Sequence, residues 1–544
     1  VNSNVEIGTI QSYNMIIGGA NAIDGNVFTN CSKGIDVQYG RRSLIQNNRF
    51  SKTLVPVYFA FCSKVAVTDV LDNRITNAST GIYAYRNKNS KNDISNNTIS
   101  WSGNTFPGSG TGIKIETVLT DNEIYNVSFN NISRARIGIY TNSVGYSTLR
   151  ENQIDIVAGS SLLHSYGIRT LGGEKLTVYG NSTDGPAQAA NYSYGVSMSM
   201  SGGSRIECNR VEKCHYGLNF DGSMPSEVYR NTIKKNYYGV SLTNGGMIGP
   251  QGSMSYPSDN TWRLNNNDGW SFSSVGTNSP FYVRSVSPIP GVGNSFNPDF
   301  QSQYFSPLLN QYNAIVDVEG ATGTYHPCEL TAQANGLPIG FMKKIASNEI
   351  GYELYPPSES WQSKKAVFVI LKSDSLQSYL ADTTLTLFMD SIALSPTIIF
   401  DSAAIKYSEN AVSEAQLLNN SLLASQLPEI SLKTVNNIAF RNDSVATIYT
   451  TVELSELQFM AAQCPYEYGP AVYMARVLLA PVDNTQYFNI CESIDVPSQK
   501  SVETTALYND QIDFNIQVYP NPANDVVQIV VESKTAEGHY SYQL

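Results

Sequence analysis

NRVEKCHYGLNFDG, residues 209–222, and NTIKKNYYGVSLTN, residues 231–244, nearly repeat one another at a 22-residue step, with Tyr216-Gly217 answered by Tyr238-Gly239. A globular core has no use for a fixed period, because its elements pack in any order the topology allows. A stack of coils needs one. Upstream, the Asn anchor returns at Asn26, Asn48, Asn73, Asn97, Asn130 and Asn152, each two residues before an apolar residue. The Gly anchor returns at Gly34, Gly81, Gly112, Gly138, Gly167 and Gly195. One coil breaks the rule, where LVPVYFAF puts Pro56 in the glycine slot.

A 22-residue unit is too short for a strand–helix–strand crossover, and it shows no helical periodicity. Its runs are short, rich in Ile, Val and Tyr, alternate with period two and are punctuated by Asn and Gly, which predicts three strands and three turns per coil. Each coil then rises ~4.8 Å, and nine coils make a rod on the order of 40 Å long. Asn suits the bends because it tolerates left-handed backbone and can bond to a neighbouring main chain, and stacked Asn can form hydrogen-bonded ladders.

On these repeats, residues 1 to about 300 resemble the right-handed parallel β-helix proteins, the architecture of pectate lyases, other polysaccharide lyases and many surface adhesins. A second resemblance lies in FNIQVYPNPANDVVQIVV, from Phe514. Its core, Tyr519, Pro520, Asn521, Pro522 and Ala523, is similar to the opening strand and turn of the C-terminal sorting domain of bacterial type IX secretion substrates. That resemblance implies a β-sandwich sorting domain cut short at Leu544, export by the type IX machinery, and a secreted or outer-membrane surface location in a Gram-negative bacterium.

The chain opens at Val1 without Met or a leader-like segment, and both ends read as cut. No run of apolar residues is long enough to cross a membrane as a helix. The net charge of −11 is uneven, since residues 1–275 hold 23 Lys and Arg against 19 Asp and Glu and the remainder is strongly acidic. The rod can meet an acidic polymer without general repulsion, and its small positive balance is far from a nucleic-acid footprint. Of seven cysteines, Cys31 and Cys214 both sit five residues after an Asn anchor and read as buried stack positions. Cys464 and Cys491 bracket a helical segment that can fold back on itself, a candidate disulfide.

After Gly249 the period fails, and the Pro-, Gly- and Asn-rich exit carries Trp262 and Trp270, aromatics suited to covering the open end of the stack. Residues 301–336 read as a connecting segment, 337–498 as a mostly α-helical domain acting as spacer or partner module, 499–513 as a polar linker and 514–544 as the truncated sorting domain.

Two residues after the Gly anchor the side chains point outward, and successive coils offer Tyr83, Lys114, Tyr140 and Arg169 there. Rings that stack on sugar faces, alternating with cations for carboxylate or sulfate, suit an acidic polysaccharide or other surface polymer. Tyr166, Tyr194, Tyr216 and Tyr238, just before the glycine, read as an inward structural stack, and Arg49, Arg74 and Arg210 as a solvated edge. Catalytic inventory is thin: the outward column offers Asp36 alone, Asp69 and Asp72 lie near a bend, and His164 and His215 occupy different slots. No metal triad or cofactor motif follows from the spacing. The sequence therefore predicts a non-catalytic, adhesin-like glycan binder, with a uronate lyase using Lys114 and Arg169, or a ligand-free stalk, as alternatives.

Overall fold

The computed structural model describes residues 14–284 and 337–491 apart from short stretches, residues 315–318, Cys328, and the strands Phe514–Tyr519, Gln528–Ser533 and Tyr540–Gln543. Each coil lays one strand in each of three parallel sheets. Arg42–Gln46, Arg49–Ser51 and Val55–Ala60 form one coil, and each pairs in parallel with its counterpart in the next: Val67–Leu71, Arg74–Thr76 and Thr80–Tyr85. The sheets reach nine, ten and ten strands among the described residues, a solenoid of about nine turns.

The interior follows the predicted register. Ile82, Ile113, Ile139, Ile168, Val196, Leu218 and Val240 stand in one column across the third sheet, and each is at most 1% exposed. The anchor glycine is required by crowding: a β-carbon on Gly112 would lie 2.5 Å from the Gly138 carbonyl oxygen and 2.9 Å from the Ile132 side chain.

The Asn anchors form the spine of the rod. Each side-chain carbonyl accepts from both the backbone N–H and the amide of the Asn one coil earlier, as between Asn97 and Asn130 at 3.0 and 3.0 Å. The series runs from Asn26 to Asn260 and includes Asn181. From Asn48 onward the left-handed residue of the bend is the one before the anchor, not the anchor itself: Asp72, Phe129, Glu151 and Arg230 all have φ between 53° and 56°. Buried amide ladders satisfy the bend's polar groups, which frees that preceding position to vary. Cys214 occupies the slot of a shorter second ladder, its N–H donating to Asn236 at 3.0 Å. It is buried and unbridged, and Cys31 is half-buried and unbridged.

At the exit, Trp262 is buried and meets Phe281 edge-on at 5.7 Å, while the Trp270 side chain lies outside the described residues. Among the described residues nine helices follow: α1 (Ile339–Ala346), α2 (Pro356–Lys372), α3 (Thr383–Ile392), α4 (Pro396–Ser408), α5 (Val412–Ser421), α6 (Leu427–Arg441), α7 (Thr451–Ala461), α8 (Pro465–Tyr468) and α9 (Ala471–Leu479). They pack on the outer face of the third sheet, so that Val1–Glu492 is one compact unit. Ala60, Tyr85 and Val118 of the rod share an apolar cluster with Trp361, Val435, Leu457, Val472 and Leu478. The Tyr85 hydroxyl donates to the Val477 carbonyl at 3.0 Å and the Ser223 and Ser363 hydroxyls meet at 2.8 Å. Cys464 and Cys491 form a disulfide with Cα atoms 5.5 Å apart, and a second disulfide, Cys208–Cys328, joins the rod to the segment beyond it.

Residues 493–544 are a separate unit in which three antiparallel strands are described, Phe514–Tyr519 against Gln528–Ser533 and that against Tyr540–Gln543. Tyr519 ends the first strand, and Pro520, Asn521, Pro522 and Ala523 lie outside the described residues.

Candidate functional site

The outward column of the third sheet is continuous. Asp36, Tyr58, Tyr83, Lys114, Tyr140 and Arg169 occupy successive strands in strict register. Lys114 Nζ stands 4.6 Å from the centre of the Tyr83 ring and 6.0 Å from that of Tyr140. It also pairs with Glu116 at 2.8 Å, and the Tyr83 hydroxyl donates to the same carboxylate at 2.5 Å. Arg169 lies over the Tyr166 ring at 4.4 Å. At the other end Lys33 bridges Asp36 at 2.8 Å and covers the Tyr58 ring at 4.2 Å. Tyr58 and Tyr83 meet edge-on at 5.3 Å, and the ring–cation contacts fix each side chain against its neighbour. Burial, then the Glu116 charge, pushes the Tyr140 phenol up to about 12, so it stays protonated.

Two members were missed in the sequence. Tyr58 was hidden by Pro56 in the glycine slot. Glu116 lies two residues beyond Lys114 on the same face, and continuing the alternation would have found it. This second outward column, Tyr85, Glu116, Asn142, Leu171, Ser199 and Asp221, is buried beneath the helices, with Asp221 accepting from the Tyr466 hydroxyl. The first column is only half covered. Tyr58 and Tyr83 pack on the cluster around α9, and Tyr140 on Cys464, Tyr466 and Tyr473. The ladder points out of the rod as alternation predicts, yet it is not a wholly solvated face, because the helices use its rings as part of their seat. Lys114 keeps 29% of its side chain exposed.

The tyrosines before the glycine lie outside the rod's core, contrary to the inward placement expected from alternation. A bend at the glycine, which itself faces the interior, reverses the parity. Tyr166, Tyr194, Tyr216 and Tyr238 stack at 4.8, 4.7 and 5.4 Å, flanked by His164 and His215. Burial lowers His215 to about 4, so it is a neutral ring on Tyr237. Arg49, Arg74 and Arg210 are exposed on the second sheet. Asp69 faces Asp93 across adjacent strands, and burial, then that neighbour, raises its carboxyl. Asp72 serves its bend with φ 55°.

A buried polar cluster escaped the sequence reading because it sits on the turn between Thr111–Glu116 and Ile124–Ser128, where the repeat carries no fixed positions. Arg86 holds Asp121 through two nitrogens at 3.0 and 3.2 Å and reaches the Tyr407 hydroxyl of α4 at 3.2 Å. Glu123 accepts from Thr117 at 2.6 Å and from the Tyr125 hydroxyl. Burial, then the Asp121 charge, pushes its carboxyl up to about 8. With Asp121 fully engaged, the cluster locks the turn to α4.

Residues 2–163 match the family described as periplasmic copper-binding protein (NosD), and residues 88–253 match the right handed beta helix region. The solenoid is a right-handed β-helix. No curated protein matches the chain. Two solved structures of DFA-IIIase from Arthrobacter chlorophenolicus A6 are similar to it: a mutant in complex with DFA-III, at 10% identity and TM-score 0.24 over 37% of this chain and 45% of that one, and a form without its lid, at 12% and 0.25 over 43% and 60%. This chain thus spans about half the length of those enzymes. The periplasmic family description is consistent with an extracytoplasmic location for this β-helix, as are its two disulfides.

Proposed function

We propose that the chain is an extracytoplasmic, non-catalytic β-helix protein that binds an acidic glycan along Tyr58, Tyr83, Lys114, Tyr140 and Arg169. The observation that carries this reading is the alternation of ring and cation on one ladder, with Lys114 lying against both flanking tyrosines. From Tyr83 to Arg169, steps of ~4.8 Å span roughly 14 Å, about three sugar residues, on a backbone that needs little ordering to bind. Lys114 and Arg169 are both engaged as cations on rings, an arrangement that serves anion binding more directly than the proton removal a lyase requires. The Tyr519 to Ala523 resemblance supports export through the type IX machinery and display on the outer-membrane surface. Among the described residues no group of three or more His, Cys, Asp or Glu could hold a metal ion, so the copper in the NosD description is not part of this reading.

The test is an array of acidic and neutral polysaccharides probed with the purified chain, run beside an absorbance assay for unsaturated uronate. Retention of acidic glycans without new absorbance is expected. Product formation would replace the reading with a lyase, and the lack of any retained glycan would leave a structural stalk.

A further inference from the structure

A second site lies where the helices meet the turns of the rod. A cavity of about 80 Å³ is enclosed by the turn Thr117–Glu123, by Ser143 and Glu174 on the next two coils, and by residues of α2, α4, α6 and α9. It has room for roughly half a dozen waters, the displacement of a single sugar ring. It shares no residue with the ladder.

Apart from Glu174, whose carboxylate is ion-paired with Lys365, three of its lining residues hold buried polar atoms without a hydrogen-bond partner among the described residues: the Trp361 indole nitrogen, the Asn436 carbonyl oxygen and the Thr120 hydroxyl. All three residues are more than nine-tenths buried. Orphaned groups of this kind are rare in native proteins, and three around one cavity call for an occupant that supplies both donors and acceptors. The charges around them are already balanced. Glu174 is paired with Lys365 at 2.8 Å and Asp401 with Lys372 at 2.5 Å, and Glu123 is held in its neutral form at pH 7. The remaining wall is Trp361, Phe368, Phe400 and Met474, a surface for C–H faces. Tyr146 and Ile405, 40% and 42% exposed, stand at the rim.

We infer that this junction cavity binds a neutral polyhydroxylated ring, a single sugar residue or a molecule of the same chemistry, with indole N–H, amide oxygen and hydroxyl reading its hydroxyl groups. Apolar walls with a few convergent polar atoms are the usual composition of such sites. An ionised ligand is disfavoured because the cavity offers it no unpaired counter-charge.

The experiment is calorimetric titration of the chain with glucose, galactose, mannose and N-acetylglucosamine, with glucuronate as the charged control and tryptophan fluorescence as a second readout. At least one neutral sugar should saturate, and glucuronate should bind at least tenfold more weakly. Ala404→Phe fills the cavity from a half-buried helix position and should weaken binding at least tenfold. Ile405→Trp at the exposed rim serves the same purpose if the first variant misfolds. Trp361→Phe should lose the fluorescence response, and Lys114→Gln should leave this binding unchanged, which separates the site from the ladder. Failure of all four sugars to saturate, equal binding by the cavity-filled variant, or glucuronate binding as well as the neutral sugars would overturn the inference.

Discussion

In the rod, Val196 meets Ile168 on one side and Leu218 on the other, and both meetings are copies of one parallel register. In the helical region, Val435 of α6 lies in a cluster drawn from α2, α4, α7 and α9 and from Ala60, Tyr85 and Val118 of the rod, and none of these contacts repeats. The rod is a one-dimensional stack whose coils support only their neighbours. The helices are a single mutual packing that needs the rod as a floor. Damage to the rod should therefore reach the helices, and damage to the helices should spare the rod.

The largest effects test that asymmetry. Val196→Asp puts an unpaired charge in the column and should cost about 4 kcal/mol, removing strand and helix signals together in thermal circular dichroism. Ala475→Asp on α9, equally buried, should melt the helices while the strand signal persists. Loss of both signals in Ala475→Asp would break the comparison. Next, Asn130 donates to Asn152, Ile94 and Ser128 and accepts from Asn97, so Asn130→Leu leaves several buried groups unmatched. Denaturant titration should register a loss of about 3 kcal/mol. A comparable but local effect is expected in the helices, where Cys464→Ser with Cys491→Ser opens a disulfide of separation 27. About 3 kcal/mol should be lost there, with the rod's transition unmoved.

A smaller test concerns the junction. Glu123 is held at about 8 against an ordinary 4.5, so the folded state keeps a proton that the unfolded chain releases. Stability should then fall as pH rises from about 4.5 to about 8 and level off above. Glu123→Gln should flatten that slope in melting temperature against pH, and an unchanged slope would move the titration elsewhere.

The same asymmetry explains what could be read in advance. The repeat wrote the inward column, the outward ladder and the Asn spine into the sequence at fixed offsets, so Ile82 to Val240 and Tyr83 to Arg169 could be placed by counting. Wherever an offset shifted, reading failed. Pro56 hid Tyr58, the bend at each glycine reversed the side of Tyr166 to Tyr238, and the turn carrying Asp121 and Glu123, residues 117–123, is longer than its counterparts at 86–90 and 143–147 in the neighbouring coils. The helical periodicity of residues 337–498 showed helices but not where they would dock, because the apolar groups that seat them, Tyr85 and Leu171, look like ordinary strand residues. The cavity at that seam belongs to two segments more than 200 residues apart, such as Glu123 and Trp361, and no local pattern announces it.

The most direct measurement is calorimetric titration of an acidic oligosaccharide into the chain and into Lys114→Gln with Arg169→Gln. These changes spare the tyrosines that seat the helices, and the Tyr83 hydroxyl still donates to the buried Glu116 that loses Lys114, so the chain should stay folded with a lowered melting temperature. Each lost cation contact should cost on the order of 1 kcal/mol, and the double variant should bind more than tenfold more weakly than the unaltered chain. If a bound oligosaccharide is held equally well by both, the ladder is a solvated face and the glycan lies elsewhere.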